Sequence, residues 1–363
     1  MNGREIAVGL SVSLSGRLQL QSQPALRGIL LWNSYANAKG GISIGTGEKR
    51  SVRLIWHDDR SQAGRARDNV LRLVHGDHVD ILLGPYSSSL TLAVGEIAEQ
   101  QKKVLWNYGG SSDEIFTRGW RYLVGIASPA SDYLRALPPW TSREYSGLRR
   151  NCVLYSDKGT FGWQVARGVL ESAPGVVQSV ELIPMESLLK NSDAIRSVLF
   201  EISPEVVVLA GSFQHELMIM RGRPYWPATV RALAAVAAGI HAFSAQLGGL
   251  ADGVVGPSQW EPGVSLPEIR GPTSDWFVDS FEKQFGSPPD YVAAGSFATG
   301  VIVTECIRRA ASLDNDKLRS IASNLDCNTF YGRFRIDAQS GKQVGHRILL
   351  IRWQEGRKVV LPS

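Results

Sequence analysis

The side chains best placed to do chemistry in this chain are hydroxyls. Residues 79–89 read VDILLGPYSSS: an apolar run, a Gly-Pro turn, then Tyr86 followed by Ser87, Ser88 and Ser89. Residues 104–112, VLWNYGGSS, end in a second small, hydroxyl-bearing turn. Short hydroxyls and the backbone N–H groups at the start of a helix stabilise an anion without a buried cation. Ser88 and its neighbours are therefore expected to hold a small molecule, although a serine turn also serves to cap a helix.

Other reactive groups point nowhere in particular. His57, Asp58 and Asp59 are consecutive at the end of an apolar run, and His75 and His78 lie close together. A metal or acid–base cluster is one reading. Surface carboxylates that cap the next helix are the weightier one. Cys152, Cys306 and Cys327 lack any CxxC spacing, so neither zinc nor redox chemistry is indicated. A Cys306–Cys327 bridge and buried free thiols both stay open, the thiols being favoured. No phosphate loop, GxGxxG after the first strand, GxSxG turn or HExxH is present, so the chain is read as a non-enzyme with no cofactor and no metal.

The elements that must position the hydroxyls are legible from periodicity. Residues 6–14 and 52–59 read as strands, residues 24–38 and the SQAGRARDNVLRLVHG segment as helices, and 79–83 and 104–116 as the third and fourth strands. Continuous apolar runs between helices indicate a parallel sheet covered on both faces. Ligands of such sheets bind beyond the carboxyl ends of the strands. A second series follows Gly125: a helix from Ser131 through Trp140, the strand NCVLYSD, the helix GWQVARGVLES, the strand SVELIPM, the helix DAIRSVLFEIS and the strand EVVVLAGS. Two helices then lead to a closing antiparallel pair, YGRFRID and HRILLIRWQ, turned at Ser340-Gly341. At 363 residues the chain is long enough for two domains of roughly 100 to 200 residues each. The class is α/β, with two doubly wound parallel-sheet lobes.

Composition excludes other classes. A hydrophobic content of 44% with 20% charged residues is that of a globular protein, and no apolar stretch approaches the roughly 20 residues that span a bilayer. The net charge of +5 comes from scattered Lys and Arg, whereas a nucleic-acid footprint clusters. Nucleic-acid binding and membrane insertion are not expected. No secretory leader pattern opens the sequence, so either the protein is cytoplasmic or a leader has been removed.

Taken together, these stretches resemble the periplasmic solute-binding proteins of ABC transporters, in the leucine, branched-chain amino acid and amide-binding group. The resemblance rests on the first strand with its SGR loop, NAKGGI (37–42), DDRSQAGRA (58–66), LLGPYSSS, YSDKGTFGWQ (155–164), FYGRFRID and GHRILLIRWQEGRKVV (345–360). Each is weak alone; in this order they cover nearly the whole chain. The resemblance implies two lobes, residues 1–123 plus 257–328 and 124–256 plus 329–363, joined by a three-strand hinge with crossings near 123–126, 254–257 and 328–332. A ligand cleft lies between them. It implies a non-catalytic, monomeric receptor in the periplasm that closes on a solute and delivers it to the transmembrane subunits of an ABC permease.

Carried onto matching positions, the ligand's carboxylate or amide falls to Ser88, Gly110 and Ser111, with Tyr86 nearby. Phe161 and Phe213 match the aromatic lid of the second lobe, where tyrosine is usual. Tyr108, which shares a strand side with Trp106, and Trp260 in the Pro- and Gly-rich crossover are further candidates for lining the cleft. The amino-acid binders place an acidic residue against the α-ammonium, but residues 234–239 read AAVAAG. An ordinary α-amino acid is therefore not expected unless Glu216 or Asp252 reaches in. A carboxylate or amide with an apolar or aromatic body is. The competing reading is a cytoplasmic ligand-sensing regulator of the same fold, of the amide-sensor type.

Overall fold

The computed structural model describes residues 5–45, 47–145, 147–264, 266–267 and 269–362. The chain forms two compact units, Met1–Ser128 with Gln259–Arg347 and Pro129–Ser258 with Ile348–Ser363.

The first unit is built on a five-stranded parallel sheet. In spatial order its strands are Val52–Asp58, Ile6–Val12, Ile81–Leu83, Leu105–Asn107 and Leu123–Gly125. Numbered along the chain, that order is 2-1-3-4-5, a doubly wound sheet with its switch point beside the first strand. Every residue of Ile6–Val12 is buried, which is why the segment reads as apolar throughout rather than alternating. Helices Ala63–His75 and Ser88–Gln100 cover one face with Val70, Leu73, Leu90 and Val94. Helices Gln19–Ala38 and Tyr291–Ala310 also pack together in this unit. They cross closely: a Cβ on Gly28 would come 2.2 Å from the Ala293 carbonyl oxygen.

The second unit repeats the order. Strands Ser179–Pro184, Arg150–Tyr155, Val206–Ala210, Ala232–Ala235 and Val255–Ser258 run parallel, and Leu349–Gln354 and Arg357–Val360 extend the sheet antiparallel. Alternation decides its two faces. Val207 and Leu209 join one core with Leu154, Leu217 and Phe243, while Val206, Val208 and Ala210 join another with Val165, Val169 and Leu137. With burial of each such side chain stabilising by about 1.5–3 kcal/mol, strand Val206–Ala210 is held from both sides.

Several boundaries differ from the sequence reading. The fourth strand stops at Asn107, and Asp113–Thr117 is a 3-10 turn, because Gly109 and Gly110 turn the chain before Asp113. The expected helix from Ser131 is a 3-10 turn at Ala130–Asp132, followed by an α-helix at Leu137–Glu144. The expected pairing of YGRFRID with HRILLIRWQ does not form. Gly332–Phe334 pairs with Cys327–Thr329, and the closing hairpin is Leu349–Gln354 with Arg357–Val360. Glu355 and Gly356 both have positive φ, 49° and 72°, the backbone a tight two-residue hairpin turn demands. Ser340-Gly341 instead turns a short loop bridged at Ile336 and Gln343.

The last passage between units lies at Arg347–Ile348 rather than at 328–332. His346 explains this. Its ring stacks on Tyr331 at 4.5 Å, and Nε2 lies 2.7 Å from the Gln259 carbonyl, tying 345–347 to the first unit. Burial pushes the imidazole pKa down to about 4. All three cysteines are free thiols, and burial raises the pKa of each.

Candidate functional site

In the first unit the site is assembled where parallel strands end. Strand Ile81–Leu83 delivers Gly84, Pro85 and Tyr86, and the next helix begins at Ser88. The Ser88 hydroxyl oxygen accepts from the N–H of Ser111 at 3.1 Å and of Ser112 at 3.0 Å. A hydroxyl oxygen has two lone pairs and one proton. Both lone pairs are engaged, which leaves the hydroxyl proton as the part of this group uncommitted among the described residues. Its helix has no side-chain cap, and its positive N-terminal end favours an anion.

The neighbouring turn is held by its own side chain. Asn107 accepts from the Gly110 N–H at 2.8 Å and donates to the Gly110 carbonyl at 2.7 Å. The resemblance implied that the Gly110 and Ser111 amides face a ligand; the structure gives both an internal partner, because the reversal at 107–112 needs its own hydrogen bonds. Glycine is required here. A Cβ at Gly109 would meet the Pro85 carbonyl oxygen at 2.8 Å, and one at Gly110 would meet Thr91 Oγ1 at 2.5 Å.

Asp58 and Asp59 serve the same edge rather than capping a surface helix. Asp59 is fully buried and accepts from Ser11 Oγ at 2.9 Å, Ser13 Oγ at 2.5 Å and the Ser61 N–H at 2.8 Å. Asp58 accepts from the Leu14 N–H and the Ser15 hydroxyl. Burial works to raise the Asp58 pKa, but bonds from Arg60, Ser15 and Leu14 outweigh it and hold the carboxyl below its usual range. Together they fix the loop after the first strand. His57 pairs with Asp77 at 2.7 Å. Among the described residues no group of three or more His, Cys, Asp or Glu could hold a metal.

The expected aromatics divide. Tyr108 is 6% exposed, and its buried hydroxyl has no hydrogen-bond partner among the described residues. Burial, with the charge of Asp59, raises its pKa. Trp106 is wholly in the core. Trp260 packs edge-on against Phe277 at 5.5 Å and Phe330 at 5.8 Å, which makes it part of the first unit's aromatic core rather than a free crossover residue. A cavity of about 460 Å³ lies against Ser89 and the flank of helix Ser88–Gln100. Arg67 and Arg118 line it, but Arg67 is held by the Ala93 carbonyl and Arg118 by Glu114.

In the second unit Phe161 and Phe213 each open the helix after a strand, Phe161–Ser172 after Arg150–Tyr155 and Phe213–Arg221 after Val206–Ala210. These strands are neighbours, and both rings are half-buried. Phe161 stands edge-on to Tyr133 at 5.5 Å. Phe213 packs against the other core. Two carboxyls sit at the same edge in opposite surroundings. Glu186 accepts from Ser156 Oγ at 2.6 Å and pairs with Lys158 at 3.0 Å and His215 at 3.3 Å. Burial works to raise its pKa, and these partners bring it below the usual value. Glu216 is fully buried and accepts from the Gly211 and Ala237 N–H groups, each at 2.7 Å. Burial outweighs both bonds and pushes its carboxyl up to about 8. Asp252 lies in a surface loop and caps the closing hairpin through the Glu355 N–H at 2.8 Å.

A sequence model of the periplasmic binding proteins matches residues 5–181 and 228–358. The chain belongs to this family. A curated relative, Leu/Ile/Val-binding protein homolog 8 of Brucella melitensis, is 23% identical over 381 residues, covering 98% of this chain and 90% of the relative. Among solved structures, the leucine binding protein LivK of Thermotoga maritima superposes with a TM-score of 0.85 at 17% identity, covering 98% of both chains. The solute binding protein of an ABC transporter from R. palustris, solved in complex with benzoate, reaches 0.77 at 18% identity, covering 99% of this chain and 96% of that one. These likenesses fix the type I periplasmic binding protein fold, with its two lobes. Family members are solute-binding proteins, and among the described residues no helix is long and apolar enough to cross a membrane.

As a periplasmic binding protein the chain carries more at its strand ends than the sequence reading found. Ser156, Lys158 and Glu186 give only faint local signals: Ser156 is the first polar residue past the apolar run NCVLY and Glu186 stands just beyond SVELIPM. Asp59 reads as a surface cap from sequence alone because nothing local reveals that Ser11 and Ser13 converge on it.

Proposed function

We propose that this chain is the extracytoplasmic solute-binding receptor of an ABC transporter, that its ligand is a small carboxylate or amide with an apolar or aromatic body, and that it hands this ligand to the transporter's transmembrane subunits. Ser88 carries the reading. With both lone pairs engaged by N–H donors, its hydroxyl can only donate outward, so it selects an acceptor, a carboxylate or carbonyl oxygen, and offers nothing to an ammonium. Phe161 and Phe213 supply apolar faces suited to a hydrocarbon or aromatic body. Gly110 and Ser111 shape the turn that aims Ser88, and Tyr86 and Tyr108 flank it.

The benzoate complex of the R. palustris protein makes benzoate a sensible first probe, and the curated relatives make leucine the control. Isothermal titration calorimetry with benzoate, ring-substituted benzoates and leucine is the test. The proposal expects arylcarboxylates to bind more tightly than leucine by at least tenfold. Leucine binding more tightly than every arylcarboxylate would overturn the ligand class while leaving the receptor role standing.

A further inference from the structure

We propose that Glu216 is a positioning residue, clasping the turn before Phe213 to the turn after strand Ala232–Ala235 and so setting the ligand wall of the second unit, in place of presenting a carboxylate to a ligand's ammonium. The inference rests on the reading of Phe213 as a ligand-facing residue and adds how that wall is held.

Glu216 lies on helix Phe213–Arg221, three residues after Phe213. Its two oxygens divide between two strand ends: one takes the Gly211 N–H, just beyond Val206–Ala210, and the other takes the Ala237 N–H, just beyond Ala232–Ala235, each at 2.7 Å. Those strands are adjacent and parallel. One side chain thus bonds both turns and the helix that carries Phe213. Removing it orphans two N–H groups, and a carboxyl engaged this way cannot swing out without leaving them unpaired.

The segment 234–239 offers only small apolar residues, and Glu216 is the acid that reaches it. It reaches it as a clasp, and among the described residues no cation is bonded to it. Of the groups on surrounding elements, Lys158 pairs with Glu186, Arg223 donates to the Leu250 and Asp252 carbonyls, Lys358 donates to the Gly239 carbonyl at 2.7 Å, and His215 Nδ1 lies 3.3 Å from Glu186. His241, on the helix packed beside it, stands edge-on to Trp353. Burial without a cation favours the protonated carboxyl, in line with its raised pKa. A neutral carboxyl does not repel a ligand carboxylate.

The test uses the full chain and the variants E216Q and E216A. Amide hydrogen exchange at Gly211 and Ala237 reads the clasp without any ligand. In E216A both amides should exchange at least tenfold faster than the fall in global stability accounts for, and unchanged exchange overturns the proposal. Calorimetry with benzoate and with leucine, in buffers of different ionisation heat, reads its consequence. Benzoate should bind E216Q roughly five- to tenfold more weakly than wild type, the loss expected of about one hydrogen bond. Wild-type affinity for benzoate should decline as pH rises past about 8, and that decline should vanish in E216Q. Leucine binding that releases a proton at pH 7 and falls more than a hundredfold in E216Q would make Glu216 an ammonium reader and overturn the proposal. Failure of benzoate to bind wild type, with fast exchange in E216A, would remove the ligand class and leave the clasp.

Discussion

Replacing Ser88 by alanine removes one oxygen and should change two properties at once. In the folded protein that oxygen is the acceptor for two N–H groups, at 3.1 and 3.0 Å, from residues that are themselves 3% and 0% exposed. A buried donor left unpaired costs about 1–3 kcal/mol, and water entering the space recovers part of it. The expected destabilisation of Ser88→Ala is about 2–4 kcal/mol, read from urea unfolding with the slope unchanged. Binding should fall separately. A hydroxyl donating to a carboxylate is a charge-assisted bond of about 1.5–3 kcal/mol, so benzoate affinity should drop roughly 10- to 150-fold. Ser88→Thr keeps the oxygen and the proton and should recover most of both. Stability within about 0.5 kcal/mol of wild type would refute the double acceptor role. Lost stability with unchanged affinity would show that the proton does not meet the ligand.

Three further outcomes follow from the same geometry. Asp59→Ala strands two buried hydroxyls and one half-buried N–H; a loss of about 3–5 kcal/mol is expected from donors left unpaired, with urea unfolding as the check. Phe213→Ala should weaken benzoate binding by about 1–2 kcal/mol, or roughly 5- to 30-fold, while Phe213→Tyr should weaken it less, both read by calorimetry. Glu216 carries a pH signature in stability. An acid whose folded pKa is raised adds no penalty below its unfolded value of 4.5, costs stability progressively as pH climbs, and carries the full penalty above about 8. Wild type should therefore lose stability relative to Glu216→Gln between those limits, as measured by unfolding at a series of pH values; parallel curves would show that Glu216 is ionised throughout.

The paired βαβ architecture was legible because its signal is local. Residues 6–12 and 206–210 are buried on both sides and so read as unbroken apolar runs, and the helices between them keep one apolar stripe. Ser88 was legible for a related reason: a polar cluster directly after such a run has to lie at a sheet's carboxyl edge. What escaped is what depends on contacts distant in sequence. Asp59 gives no local sign of meeting Ser11, 48 residues away, and Glu186 and His215 come together only because strands Ser179–Pro184 and Val206–Ala210 flank the same neighbour. The closing hairpin was misplaced because Ser340-Gly341 and Glu355-Gly356 are both plausible turns, and only the register with Val255–Ser258 chooses between them.

Glu186 and Glu216 show how one sheet edge pushes the pKa values of two acids in opposite directions. Glu186 has a hydroxyl, an ammonium and an imidazole within reach and remains an anion. Among the described residues Glu216 has only two backbone amides as partners, and burial favours its neutral form. Environment separates the pKa values of like groups in this way wherever their roles differ. Were the second unit built to receive an ammonium, the anionic member of the pair would be the one free of cations. It is instead the one already paired with them. The acid nearest residues 234–239 is the one that burial pushes toward its neutral form, and on the first unit Ser88 has only a proton to give. Both features favour a ligand that brings acceptor oxygens and no cation.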